Sequence, residues 1–217
     1  MILSPSSKNV HTQFFFNNTP MMTNPEFNPE KGFKNLTIPN CITYGGLLFA
    51  LIGIYLLINN QIVLAIIFLT LTDVFDMADG YIARKFKMFS PIGGDLDSLV
   101  DVIAFAVPPF IIALIFGSNL LIASSVFMVG CGVYRLARFN VEKTVSGYRK
   151  GVSISPPVHL IYTAILLNIA PIYLSIFYIF FGIMMISAIP IKKKHSTYFI
   201  IAIMVINVVL ATISLVI

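Results

Sequence analysis

The chain has 217 residues, 58% of them hydrophobic and only 11% charged, against about 25% charged in a soluble domain. That composition excludes an ordinary water-soluble fold and reads as an integral membrane protein. The net charge of +5 calls for no nucleic acid, because basic loops facing anionic lipid headgroups account for it.

Residues 1–38 are polar and rich in Asn, Pro, Phe and Ser, and no apolar signal region precedes residue 40. They read as a cytoplasmic tail, flexible or folded into a short surface helix. The membrane domain follows over 39–217. Its uncharged runs cover 41–72, 102–134, 151–190 and 196–217. A spanning helix needs roughly 20 residues, so several runs must fold back on themselves. Polar breaks at Asn59-Asn60-Gln61, Gly117-Ser118-Asn119 and Asn168 to Pro171 divide them. The spacing predicts seven helices, near 41–58, 62–85, 94–117, 119–139, 152–168, 172–190 and 196–217. An alternating β pattern is absent, which argues against a barrel. Cys41 and Cys131 form no metal-binding spacing and read as packing residues.

Basic residues set the orientation, since they are retained on the cytoplasmic side. With seven spans, all 14 Lys and Arg fall on the side of the amino terminus. The expectation is a cytoplasmic amino terminus and an external carboxyl terminus in the cell membrane.

Six of the nine acidic residues lie in one hairpin, "DVFDMADGYIARKFKMFSPIGGDLDSLVD", at Asp73, Asp76, Asp79, Asp95, Asp97 and Asp101. Helical spacing puts Asp76, Asp79, Gly80 and Ala83 on one face, and Gly93, Asp97 and Asp101 on one face of the next helix. Four carboxylates at membrane depth stay ionised together only if cations hold them. Oxygen-only ligands suit Mg²⁺ or Mn²⁺. Gly80 and Ala83 leave room for a ligand, and Arg84 beside them can meet a phosphate. Asp73 and Asp95 also have a plainer reading, as helix caps paired with Arg84, Lys85 and Lys87. Arg135 and Arg138 share a face, either snorkelling at the membrane edge or binding an acceptor carboxylate. His159 among apolar neighbours reads as a packed or headgroup-facing side chain rather than a ligand.

The stretch "DMADGYIARKFKMFSPIGGDLDSLVD" resembles the signature of the CDP-alcohol phosphatidyltransferases, D-x2-D-G-x2-A-R-x8-G-x3-D-x3-D. Asp76, Asp79, Gly80, Ala83, Arg84, Gly93, Asp97 and Asp101 fill every fixed position. The resemblance implies an all-α bundle of six core membrane helices, here with about one extra at the carboxyl end, and a homodimer. It implies two divalent ions, Mg²⁺ or Mn²⁺, held by Asp76, Asp79, Asp97 and Asp101, with Asp101 as catalytic base. Asp76, Asp79, Gly80, Ala83, Arg84 and Gly93 would meet the CDP-lipid.

The segments "DSLVDVIAFAVPP", "CGVYRLARFNVEK" and "MMISAIPIKKK" are similar to the branch of that family that accepts serine, while "YRKGVSISPPVH" keeps its counterpart only loosely. Further departures are Gly45-Gly46 and Ala106. The branch implies CDP-diacylglycerol or CDP-archaeol as donor, L-serine as acceptor, release of CMP, and Arg135 or Arg138 at the acceptor. The rival acceptors are glycerol 3-phosphate and inositol phosphate. A rival of another class is a divalent-cation transporter, which would place carboxylates nearer the midplane.

Overall fold

The computed structural model describes residues 36–141 and 148–216. The tail expected over 1–38 therefore lies almost wholly outside the described residues. Helix α1 (Ile38–Ile58) opens with Pro39 in its first turn, where a missing N–H costs nothing. It ends at the Asn59-Asn60 break, with Asn60 in the left-handed region at φ 58°. Helix α2 (Ile62–Phe86) is capped by Lys87, also left-handed at φ 55°. A short linker leads to α3 (Gly93–Asp101), a π-helical turn (Val102–Ala106) and α4 (Val107–Phe116), which continue as one rod. Then come α5 (Asn119–Val141), β1 (Tyr148–Lys150), α6 (Ser155–Leu166), α7 (Pro171–Ile186), β2 (Pro190–Lys192) and α8 (Lys193–Val216).

Among the described residues, seven helical rods match the seven expected, with three differences of detail. The helix expected over 94–117 is interrupted by the π turn because Pro108 and Pro109 follow. Each proline removes an N–H and crowds the carbonyl four residues back, at Ala104 and Phe105. Just ahead of the two prolines the bonding lengthens to i+5, with Val107 N–H donating to Val102 O. The rods expected over 152–168 and 172–190 are shorter, at 12 and 16 residues. Pro156 and Pro157 suit a helix start, and Pro190 turns the residue before it away from helix. The chain around Pro190 instead forms β2, which pairs antiparallel with β1 in the register Tyr148↔Lys192, Arg149↔Ile191, Lys150↔Pro190. This two-stranded ribbon departs from the expected all-α chain.

Among the described residues, four helices are long and apolar enough to cross a membrane: Ile38–Ile58, Gly93–Phe116, Asn119–Val141 and Thr197–Val216. Helix α2 has 25 residues, about 38 Å at 1.5 Å per residue. That exceeds the ~30 Å apolar core of a bilayer, but the second half of α2 carries the acidic stripe. Helices α1 and α2 pack closely because α1 presents Gly46, Ala50 and Gly53 to its neighbour. A Cβ at Gly53 would sit 2.6 Å from the Leu69 side chain, and one at Gly46 would sit 3.1 Å from Phe75 Cβ. Small residues of this kind let helix backbones approach in a membrane. Leu57, Ile66, Leu69, Phe105 and Tyr162 fill the interior. Cys131 is buried, as expected of a packing residue, whereas Cys41 is exposed.

Candidate active site

The acidic hairpin closes on itself because Gly93 opens α3 in a tight place. A Cβ there would lie 3.1 Å from Ser90 Oγ and 3.3 Å from Asn40 Oδ1. Asn40 Nδ2 donates to Ser90 Oγ at 3.0 Å, tying the linker to the start of α1. Asp76 of α2 and Asp97 and Asp101 of α3 then meet, each with a carboxylate oxygen within 4.8 Å of the others. Asp79, on the same stripe, is buried and accepts the hydroxyl of Thr43 from α1. Three of the four predicted carboxylates therefore converge, and Asp79 lines the same crevice beside them. Like charges at such range repel, and the donor set is all oxygen, so the residues present fit hard divalent cations. They hold no soft or nitrogen ligand that would favour another metal.

Two cavities share lining residues at this cluster. The first, about 210 Å³, is lined by Asp73, Asp76, Asp79, Gly80, Arg84 and Asp97 on one side, and by Gly151, Ser153 and Ser155 on the other. The second, about 170 Å³, is lined by Asn40, Thr43, Ala83, Ser90, Gly93 and Gly94 together with Asp79, Gly80 and Asp97. Asp79, Gly80 and Asp97 thus belong to both. Asp101 sits deeper, in a narrow crevice with Thr43, Asp76, Asp79 and Asp97. The Arg84 guanidinium lies over Gly80, where a Cβ would be 3.0 Å from Nη1. Of the predicted ligand-binding residues, Ala83 and Gly93 face the second cavity and Arg84 the first.

The two arginines of α5 separate. Arg135 is buried, stacks its guanidinium 5.3 Å from the Phe139 ring, and lies within electrostatic reach of Asp101. Arg138 turns to the end of α7. Its Nη1 donates to Ile186 O at 3.0 Å, and its Nη2 to Met185 O at 3.3 Å and Ser187 O at 3.2 Å. Those carbonyls have no helical N–H of their own to accept, so Arg138 caps α7.

Asp73 corrects the plainer reading given to it. It pairs with none of Arg84, Lys85 or Lys87; its Oδ2 accepts Ser155 Oγ and lies 2.6 Å from His159 Nε2. Asp95 keeps part of that reading, standing in the first turn of α3 and accepting Asn140 Nδ2 at 3.4 Å. The sequence reading missed Asn40, Thr43, Ser153 and Ser155. For the first pair a signal exists: two polar side chains three apart at the start of an otherwise apolar helix.

The acidic, all-oxygen cluster, shared by two cavities, stands in a chain with four helices, among the described residues, long and apolar enough to cross a membrane. Residues 36–213 match the family model described as CDP-alcohol phosphatidyltransferase, and the chain belongs to that family. It is 34% identical over 170 residues to the CDP-diacylglycerol–serine O-phosphatidyltransferase of Methanocaldococcus jannaschii, covering 77% of this chain and 79% of the relative. The enzyme of the same name from Helicobacter pylori is 31% identical over 174 residues, 72% of this chain and 73% of the relative. An archaetidylserine synthase of Methanothermobacter thermautotrophicus is 32% identical over 123 residues, 52% of this chain and 51% of the relative.

Proposed function

We propose that this enzyme transfers the phosphatidyl or archaetidyl group of a CDP-activated lipid to the hydroxyl of L-serine, releasing CMP. One observation carries the reading: the signature carboxylates stand where two cavities meet. A donor and an acceptor can therefore approach the same point from different sides. The names of the most similar relatives point to the same donor class and to serine.

In this reading Gly80, Ala83 and Gly93 make the second cavity the seat of the cytidine nucleotide, because only small side chains leave it open. Arg84 meets phosphate at the edge of the first. Asp76, Asp79, Asp97 and Asp101 would hold two divalent ions, Mg²⁺ or Mn²⁺, which when bound neutralise the pyrophosphate. Serine enters the first cavity, and Arg135 attracts its carboxylate from the side of Asp101. Asp101 takes the hydroxyl proton as general base. The serine oxygen bonds to the lipid-bearing phosphorus while the bond from that phosphorus to the CMP oxygen breaks. CMP leaves with the electron pair, and the lipid product stays in the bilayer. The reading includes six core helices with one more at the carboxyl end, a homodimer in the cell membrane, and a cytoplasmic active site. It also takes residues 39–217 as the catalytic domain. The support for the last points is the family resemblance and the one-sided distribution of Lys and Arg.

The test is direct. Membranes containing the enzyme are incubated with a CDP-lipid and labelled serine, glycerol 3-phosphate or inositol phosphate. Serine label alone is expected in lipid; label from either phosphate ester instead would overturn the acceptor assignment.

A further inference from the structure

Asp73 is a fourth carboxylate at the first cavity, with Asp76, Asp79 and Asp97, and belongs to none of the fixed signature positions. It is 1% exposed, yet it lines the cavity beside Asp76. Its partners are unusual for a buried acid. Ser155 Oγ and His159 Nε2, one helical turn apart on α6, both reach the same oxygen, Oδ2.

The state of His159 follows from what lies behind it. Asn207 of α8 donates its Nδ2 to the backbone carbonyl of His159 at 3.1 Å, and its Oδ1 accepts Thr163 Oγ1 at 2.6 Å. A carbonyl can only accept, so the amide is oriented with its NH₂ toward His159. That NH₂ lies 3.4 Å from His159 Nδ1, so Nδ1 is the accepting nitrogen and Nε2 carries the proton. Both Ser155 and His159 therefore donate to Oδ2 of Asp73, while Asp73 also lines the first cavity.

A buried carboxylate whose two donors meet one oxygen, beside a cavity, is a seat for a small cation. The same cavity is lined by Ser153 and Ser155 and by Asp76, Asp79 and Asp97. We propose that Asp73 receives the ammonium group of an amino-alcohol acceptor, with Ser155 and His159 as positioning residues that aim it. This rests on the serine reading above. It adds a second anchoring point, so that Arg135 and Asp73 hold the carboxylate and ammonium while the hydroxyl faces Asp101.

The full-length enzyme in lipid–detergent micelles with Mg²⁺ or Mn²⁺ tests this by CMP release. Asp73→Asn keeps an oxygen for Ser155 and His159 but removes the charge. Its KM for serine should rise about tenfold or more, as for loss of a charged hydrogen bond, with the KM for CDP-lipid little changed. Wild-type enzyme should be inhibited poorly by 3-hydroxypropanoate, which is serine without its ammonium, and Asp73→Asn should lose that discrimination. If Asp73→Asn fails to fold, Ser155→Ala gives the readout through the same split in KM. An unchanged KM for serine in the variant that folds, or equal inhibition of the wild type by 3-hydroxypropanoate, overturns the proposal. Wild-type enzyme that uses no serine at all overturns the acceptor reading and this proposal together, an outcome separate from the others.

Discussion

Two arginines three residues apart on one helix have opposite jobs, and the difference lies in what each guanidinium touches. Arg138 satisfies three carbonyls at the end of α7, whereas Arg135 is buried near Asp101. Arg138→Ala should therefore lower stability, by about 1.5–3 kcal/mol for losing hydrogen bonds from a charged group, seen as a lower melting point in detergent. Arg135→Ala should instead raise the KM for serine while the melting point moves little. A melting loss confined to Arg135→Ala would reverse the assignment. The carboxylates make a different prediction. Asp76→Asn or Asp97→Asn should cost more than the roughly 100-fold typical of losing an outer partner of a metal site. Turnover should also stop in chelator and return with Mg²⁺ or Mn²⁺. Full activity in chelator would sink the metal assignment.

At the scale of elements, the β1–β2 ribbon is joined to the cavity wall by Gly151. Its φ is +74°, a conformation only glycine adopts freely, and a Cβ there would come within 2.3 Å of Met185 O. Gly151→Ala should lose at least about 1–2 kcal/mol from backbone conformation alone, with further loss from the clash. An unchanged melting point would show that the chain relaxes around it. Most of the rods were legible in the sequence because their ends are written locally: Asn59-Asn60-Gln61 and Gly117 interrupt apolar runs at the observed turns. The acidic stripe was legible because i, i+3, i+4, i+7 spacing is a property of one helix. The ribbon was not, since it pairs residues some forty apart through backbone alone. Nor was the link from Asp73 to His159, whose partners stand 86 positions apart. The different duties of Arg135 and Arg138 were hidden for the same reason, as only the packing of α5 against α7 separates them.

For the whole molecule, the one-sided placement of Lys and Arg predicts topology. A cysteine added after Ile217 should react with an impermeant reagent in intact cells, while one replacing Ser6 should not. Labelling of both positions, or of neither, would mean an even number of crossings, and the reverse pattern would mean an inverted insertion. The count is worth testing because α6 spans 12 residues and α7 spans 16, short of the roughly 20 a straight crossing uses.

The meeting of two cavities at Asp79, Gly80 and Asp97 has a stereochemical consequence. If nucleotide and acceptor occupy different chambers, the incoming oxygen and the departing one stand on opposite sides of phosphorus. One displacement then suffices, without a lipid–enzyme adduct. A CDP-lipid made chiral at the lipid-bearing phosphorus by sulfur substitution should emerge with its handedness inverted. Retention would demand two displacements, and with them a nucleophilic side chain between the chambers.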